Sequence, residues 1–171
     1  GRFGNESGLE ATSACHACPA AHFCSTGVQQ PEPCSAGTAQ NETEQGSCDK
    51  CAAGTFQKLG RQTACERCTA GAYCLLGASA ALPCPSGRYE NGTLRAMGIP
   101  MTSADDCIVC PPGASCSTGA AEPTPCAPGT VQPSSGMGTC EACAAGTVQP
   151  ESGKTSCEPC EAGAFCTNAS A

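Results

Sequence analysis

Sulfur is the reactive element that this chain holds in quantity. Nineteen of its 171 residues are cysteine, and six pairs stand two residues apart: Cys15/Cys18, Cys48/Cys51, Cys65/Cys68, Cys107/Cys110, Cys140/Cys143 and Cys157/Cys160. Thiols at that spacing have two chemistries open to them. As thiolates they hold metal: Cys48-x2-Cys51-x13-Cys65-x2-Cys68 has the spacing of a zinc ribbon, and Cys140 to Cys160 repeats it. Oxidised, they cross-link the backbone in place of an apolar interior. The cysteines at 24, 34, 74, 84, 116 and 126 have no place in sites built from two C-x2-C pairs. Basic residues, common in intracellular zinc modules, are also scarce, with only 8 Lys and Arg. Disulfides are therefore the expected chemistry, and no metal is called for.

The asparagines point to the compartment. All four, Asn5, Asn41, Asn91 and Asn168, head N-x-[ST] sequons. Ser and Thr make up 31 of the 171 residues, so four accidental matches out of four are improbable. Occupied sequons mean passage through the secretory pathway, which oxidises thiols. The expected additions are thus N-linked glycans, with no cofactor and an extracellular or cell-surface location. Other reactive side chains are few. His16 and His22 have no Ser or Cys nucleophile arranged around them, and Asp105-Asp106 lacks the spaced pattern of a calcium loop. A catalytic site is not expected, and the chain reads as no enzyme.

The elements that hold these residues follow from composition and repetition. Large apolar residues number only 21: Val 4, Ile 2, Leu 6, Met 3, Phe 4 and Tyr 2. Burying them falls far short of offsetting roughly 1.5 kcal/mol of ordering entropy per residue. Covalent staples must make up the difference. A net charge of −7 with no basic run argues against nucleic acid as a partner. The longest apolar stretches, Leu75-Leu76 and Ala78 to Leu82, are too short to cross a bilayer, so no membrane insertion is expected of this segment.

Self-similarity is the dominant pattern. The gaps Cys15, Cys18, Cys24, Cys34, Cys48, Cys51, Cys65 recur unchanged as Cys107, Cys110, Cys116, Cys126, Cys140, Cys143, Cys157. The reading is a repeat over residues 15–64, a shorter one with a long loop over 65–106, and a third over 107–156. Residues 1–14 are the end of a preceding repeat and 157–171 the start of a fourth. Glycine follows eight cysteines at a fixed offset of three, at 37, 54, 71, 87, 113, 129, 146 and 163; Ala21 is the exception. Gly at such an offset supplies a positive-φ turn beside a disulfide. Gly1-Arg2-Phe3-Gly4-Asn5 aligns with Gly87-Arg88-Tyr89-Glu90-Asn91, which places a cysteine three residues upstream of Gly1.

That register favours one pairing, in which each loop-opening cysteine joins the next cysteine: Cys18–Cys24, Cys34–Cys48, Cys51–Cys65, Cys68–Cys74, Cys84–Cys107, Cys110–Cys116, Cys126–Cys140, Cys143–Cys157 and Cys160–Cys166. Cys15 is then left for the upstream cysteine, and C-x2-C forms the hinge between beads. The rival scheme pairs first with third and second with fourth, as Cys15–Cys24 and Cys18–Cys34, and strands Cys48 and Cys51. The expected fold class is small and disulfide-rich: an elongated rod of tandem cysteine-rich beads, with little regular secondary structure and short β-hairpins. Strand pairs are expected at residues 54–58 and 129–132. Each bead should touch only its sequence neighbours, with Phe3, Phe23, Phe56, Tyr73, Tyr89 and Phe165 covering the disulfide of their own bead.

The run Cys65-Glu-Arg-Cys68-Thr-Ala-Gly71-Ala-Tyr73, matched by Cys157-Glu-Pro-Cys160-Glu-Ala-Gly163-Ala-Phe165, resembles the ephrin-receptor-like cysteine-rich repeats. It is more distantly similar to tumour-necrosis-factor-receptor modules. The departures are Ala21 for Gly, and Val131 and Val148 at the aromatic position. The resemblance implies an extracellular structural or binding segment. Such repeats occur in receptor ectodomains and in very long surface proteins of protists and algae. An Ala-rich, Lys-poor composition leans toward the second setting, where the chain looks like the glycoproteins of flagellar hairs (mastigonemes) or cell coats. The expected partner is protein, namely copies of the chain or neighbouring repeats in an assembly. The loop Pro85–Asp106 alone breaks the repeat, and its Leu94, Met97, Ile99 and Met101 are the expected lateral contact.

Overall fold

The computed structural model describes residues 1–4 and 15–161. Eight disulfides staple them: Cys18–Cys24, Cys34–Cys48, Cys51–Cys65, Cys68–Cys74, Cys84–Cys107, Cys110–Cys116, Cys126–Cys140 and Cys143–Cys157. These are eight of the pairs that the glycine register favours, and none belongs to the rival scheme. The remaining within-chain pair reaches Cys166, which lies outside the described residues. Cys160 is disulfide-bonded, and Cys15 is a half-exposed free thiol within this chain. The zinc-ribbon quartets are oxidised: Cys48 and Cys68 pair outside the first and Cys51 with Cys65 within it, while in the second Cys140 pairs with Cys126 and Cys143 with Cys157.

The chain forms two compact units, one of Gly1–Thr69 with Tyr73–Leu82, the other of Ala70–Ala72 with Pro83–Ala171. One local rule builds both. After an opening cysteine the backbone makes a turn: in the 34–48 bead, Thr38 N–H donates to Ser35 C=O at 3.1 Å. The turn places Gly37 at its third position with φ +83°, which is the type II geometry that calls for glycine. Thr38 Oγ1 also donates to the Ser35 carbonyl, and Thr55, Thr130 and Thr147 repeat this contact. The two residues after the glycine then form a strand. Its partner is the dipeptide just before the next opening cysteine, antiparallel, with Thr38 opposite Lys50 and Ala39 opposite Asp49.

The same pairing recurs as Arg2–Phe3 with His16–Ala17, His22–Phe23 with Glu32–Pro33, and Thr55–Phe56 with Glu66–Arg67. It continues as Arg88–Tyr89 with Ile108–Val109, Ala114–Ser115 with Thr124–Pro125, Thr130–Val131 with Glu141–Ala142, and Thr147–Val148 with Glu158–Pro159. The expected strands at 54–58 and 129–132 are thus two cases of a general element. The dipeptide inside C-x2-C is no hinge: it is the returning strand of a hairpin. The opening cysteine that ends it donates its N–H to the preceding register residue, as Cys51 to Gly37 C=O at 2.9 Å. Cys18 does so to Gly1 at 3.0 Å, so Gly1 occupies the register position that its alignment with Gly87 implies.

Beads also interlock beyond their nearest neighbours, contrary to the sequence expectation. Gly37 N–H donates to Gln57 C=O in the next bead at 2.7 Å, and Cys51 C=O accepts from Gly77 N–H at 2.7 Å. A Cβ built on Gly37 would run into the Gly77 carbonyl, and one on Gly71 into the Gly119 carbonyl. In each case the carbonyl belongs to chain beyond the adjacent bead. The missing side chain, together with the positive φ, is what admits that approach. Tyr89, expected to cover the disulfide of its own bead, packs on Cys110, Ala114 and Cys116 of the following one.

The core is mostly cysteine sulfur, alanine and glutamine, joined by Phe56, Met101 and Val131. Bead lengths fall into two classes: disulfides spanning 6 residues (18–24, 68–74, 110–116) and those spanning 14 or 23. In short beads the third residue after the register position is the closing cysteine, Cys24, Cys74 or Cys116, fully buried. In long beads that buried position holds Gln40, Gln57, Glu90, Gln132 or Gln149. Each glutamine spans its own loop. Gln132 Nε2 donates to Thr139 C=O at 2.8 Å while its Oε1 accepts from Ser134 N–H at 3.0 Å. Gln40, Gln57 and Gln149 make the same two bonds at the same offsets. At this buried position the short bead places its closing sulfur, whereas four of the long beads place an amide and close their disulfide further along.

Candidate functional site

The exposed features that break the repeat gather in the segment following Cys84. Glu90 stands where the other long beads have glutamine and lacks the amide donor. Its carboxylate turns elsewhere: Oε2 accepts from the buried N–H of Gly71 at 3.1 Å, and Oε1 pairs with Arg95 Nη1 at 2.6 Å. In other beads the register N–H goes to a main-chain carbonyl, as Ala21 to Gln40 and Gly113 to Gln132. Here a charged side chain replaces it, and that charge anchors the loop.

Arg95 sits on a helix, α1 (Gly92–Ala96), in a chain whose sequence lacks helical periodicity. Caps account for it. Asn91 Oδ1 accepts from Leu94 N–H at 3.2 Å at the N-terminus. At the other end Gly98, with φ +72°, and Ile99 donate to Arg95 C=O and Leu94 C=O at 3.0 and 2.9 Å. That is a Schellman ending, which brings the residue after the glycine toward the third-last helical residue, here Ile99 toward Leu94. The signal was present as Asn91 and Gly98-Ile99, but five residues are too few for periodicity to register.

Of the expected lateral-contact residues, Met97 and Ile99 are 60% and 47% exposed and Leu94 is half-buried. Met101 is not part of that surface, being 5% exposed. It lies where the loop rejoins the bead, directly before a 3-10 turn (Ala104–Asp106). Asp106 fixes that return: Oδ2 accepts from Thr102 N–H at 2.7 Å, Ser103 N–H at 3.0 Å and Thr102 Oγ1 at 3.2 Å. Its carboxyl is held below the ordinary range, first by the Thr102 N–H and against a smaller desolvation effect. Asp106 thus caps the 3-10 turn. Leu75, Leu76, Ala80 and Leu82 line a second, shallow apolar hollow.

Among the sequons, Asn41 is exposed and Asn91 half-buried, each followed by exposed residues. Both come directly after a buried loop-spanning residue, Gln40 or Glu90. Asn5 and Asn168 lie outside the described residues. The histidines have local roles: His16 stacks on Phe3 with centroids 5.5 Å apart, and His22 Nδ1 lies 3.1 Å from Ala20 C=O. Arg2 and Arg88, matched by the repeat, donate to Cys15 and Cys107 carbonyls at 3.1 and 2.8 Å. Among the described residues no cluster of His, Cys, Asp and Glu is arranged to hold a metal ion, and no helix is long and apolar enough to cross a membrane.

Sequence reasoning missed the glutamines. The recurrent Gly-Thr-x-Gln at residues 37–40, 54–57, 129–132 and 146–149 was the available signal. No family model matches the chain, and no curated protein matches it.

Proposed function

We propose that this chain is a non-enzymatic structural segment of a secreted, N-glycosylated filament or cell-surface coat, its disulfide-stapled repeats serving as wall or rod units. One observation carries the reading: a single set of main-chain bonds recurs from bead to bead. The opening cysteine N–H goes to the register carbonyl, the register N–H to the following bead, and the opening cysteine C=O to chain further on. Such an interlock extends to any number of repeats without new chemistry. Every staple among the described residues closes a loop within one bead, so the repeat carries its own covalent bracing. Sequons at a fixed place in the bead keep such a surface hydrated. The resemblance to ephrin-receptor-like repeats and the secretory reading of the sequons agree with this role, and the partner it implies is a further copy or a neighbouring repeat.

A second reading, a ligand-binding segment of a receptor ectodomain, draws on the exposed Met97 and Ile99 of the repeat-breaking loop. Negative-stain imaging of native material separates the two. Filaments or sheet-like coats are expected; isolated particles that capture a soluble protein ligand would overturn the structural reading in favour of the receptor.

A further inference from the structure

The apolar residues of the repeat-breaking loop and one of the sequons occupy the same helix. Asn91 caps α1 through Oδ1, and Leu94 is the residue whose N–H that oxygen accepts. The other amide atom, Nδ2, is the one that carries an N-glycan, and it donates to nothing among the described residues. Asn91 is half-buried, but the residues beside it are open: a Cβ built on Gly92 meets nothing within 4 Å, and Gly92 and Thr93 are exposed. The Schellman ending folds Ile99 back to Leu94 C=O, and Met97 closes the same short helix. A five-residue helix rises only about 7.5 Å, so a chain of sugars rooted at its cap has one turn to cross. Both ends of the loop are held in this arrangement: Glu90 pairs with Arg95, Met101 is buried and Asp106 accepts from Thr102 N–H.

We propose that the N-glycan on Asn91 lies over Leu94, Met97 and Ile99, so that sugar, not a protein partner, covers the apolar face of the loop. The chemistry fits. An N-acetylglucosamine ring presents C–H groups and an acetyl methyl on one side and hydroxyls on the other, so it screens aliphatic side chains while leaving a wet outer surface. Asn41 supplies the contrast, since no large apolar residue follows it before Phe56. The inference rests on the secretory reading, and it replaces the lateral contact expected from the sequence.

The test uses the 171-residue chain secreted from a eukaryotic host, as wild type and as Thr93→Ala, which removes the sequon and leaves Asn91 as the cap. Dilute hydrogen peroxide is added, and oxidation of each methionine is timed by peptide mass spectrometry. Met97 is expected to oxidise several-fold more slowly in the glycosylated chain than in Thr93→Ala. Met137, 37% exposed and outside α1, is expected to be unchanged, and buried Met101 slow in both. Equal Met97 rates with Asn91 glycosylated overturn the cover alone. An Asn91 found bare overturns the cover and weakens the secretory reading with it. Protection of Met97 in native assembled material after enzymatic removal of the glycan assigns the face to a protein contact and also overturns the proposal.

Discussion

At the residue scale, two side-chain types set the local energetics. A buried glutamine whose amide bridges a loop is hard to replace, because truncation leaves a donor and an acceptor unpaired beside it. Gln132, 1% exposed, is the clearest case. Gln132→Ala is expected to cost about 1–3 kcal/mol, read as a lower denaturant midpoint and faster amide exchange at Ser134; a loss within a few tenths of a kcal/mol would show that the bonds carry nothing. Arg61 and Glu44 hold φ +59° and +60° at positions where the repeat otherwise places Gly77, Gly119, Gly136 and Gly153, all of positive φ. Glu44 also bridges Arg2, whereas Arg61 forms no ion pair among the described residues. Arg61→Gly relieves left-handed strain of about 1–2 kcal/mol and gives back about 0.5–1 in chain entropy. A net gain between zero and about 1.5 kcal/mol is expected, seen as a raised midpoint at unchanged slope.

At the element scale, the loop around α1 is held by two carboxylates with different jobs. Glu90 stands in for a main-chain acceptor. Glu90→Ala leaves the buried Gly71 N–H without a partner and frees Arg95, so about 1–3 kcal/mol should be lost, with amide exchange rising at Gly71 and across α1 together. If α1 loosens while Gly71 stays protected, the Gly71 bond is not what Glu90 supplies. Asp106 sets the acid behaviour of the loop's return. Its folded-state carboxyl titrates below the ordinary 3.8, so the unfolded chain binds the proton more readily. The stabilisation is fully present above that ordinary value and is lost as pH falls through the lower, folded value. Proton-exchange or NMR signals of Thr102 and Ser103 should therefore hold down to about pH 4 and shift only below it; Asp106→Asn should abolish the titration.

At the scale of the whole molecule, disulfides replace the missing apolar interior. A closed loop of about 15 residues contributes roughly 3 kcal/mol by restricting the unfolded chain. Four of the staples, Cys34–Cys48, Cys51–Cys65, Cys126–Cys140 and Cys143–Cys157, are of that size. With the largest fully buried side chain a glutamine, little else resists unfolding. Complete reduction is expected to collapse amide protection across all beads and expose the chain to protease. Survival of native exchange protection in the fully reduced chain would mean that main-chain interlock alone suffices.

The staples themselves were legible from spacing, because a fixed cysteine–glycine offset is a local constraint that composition cannot hide. So was the hairpin class of the fold, and so was the alignment of Gly1 with Gly87. What the linear pattern left open were relations between beads. That Tyr89 covers its neighbour's disulfide, that Gly37 meets the Gly77 carbonyl, that Met101 is interior while Met97 is not, and that Glu90 reaches Gly71 all depend on which backbones are stacked against each other. Residue types and offsets set how each loop closes on itself; only packing in three dimensions decides which groups a closed loop then finds beside it.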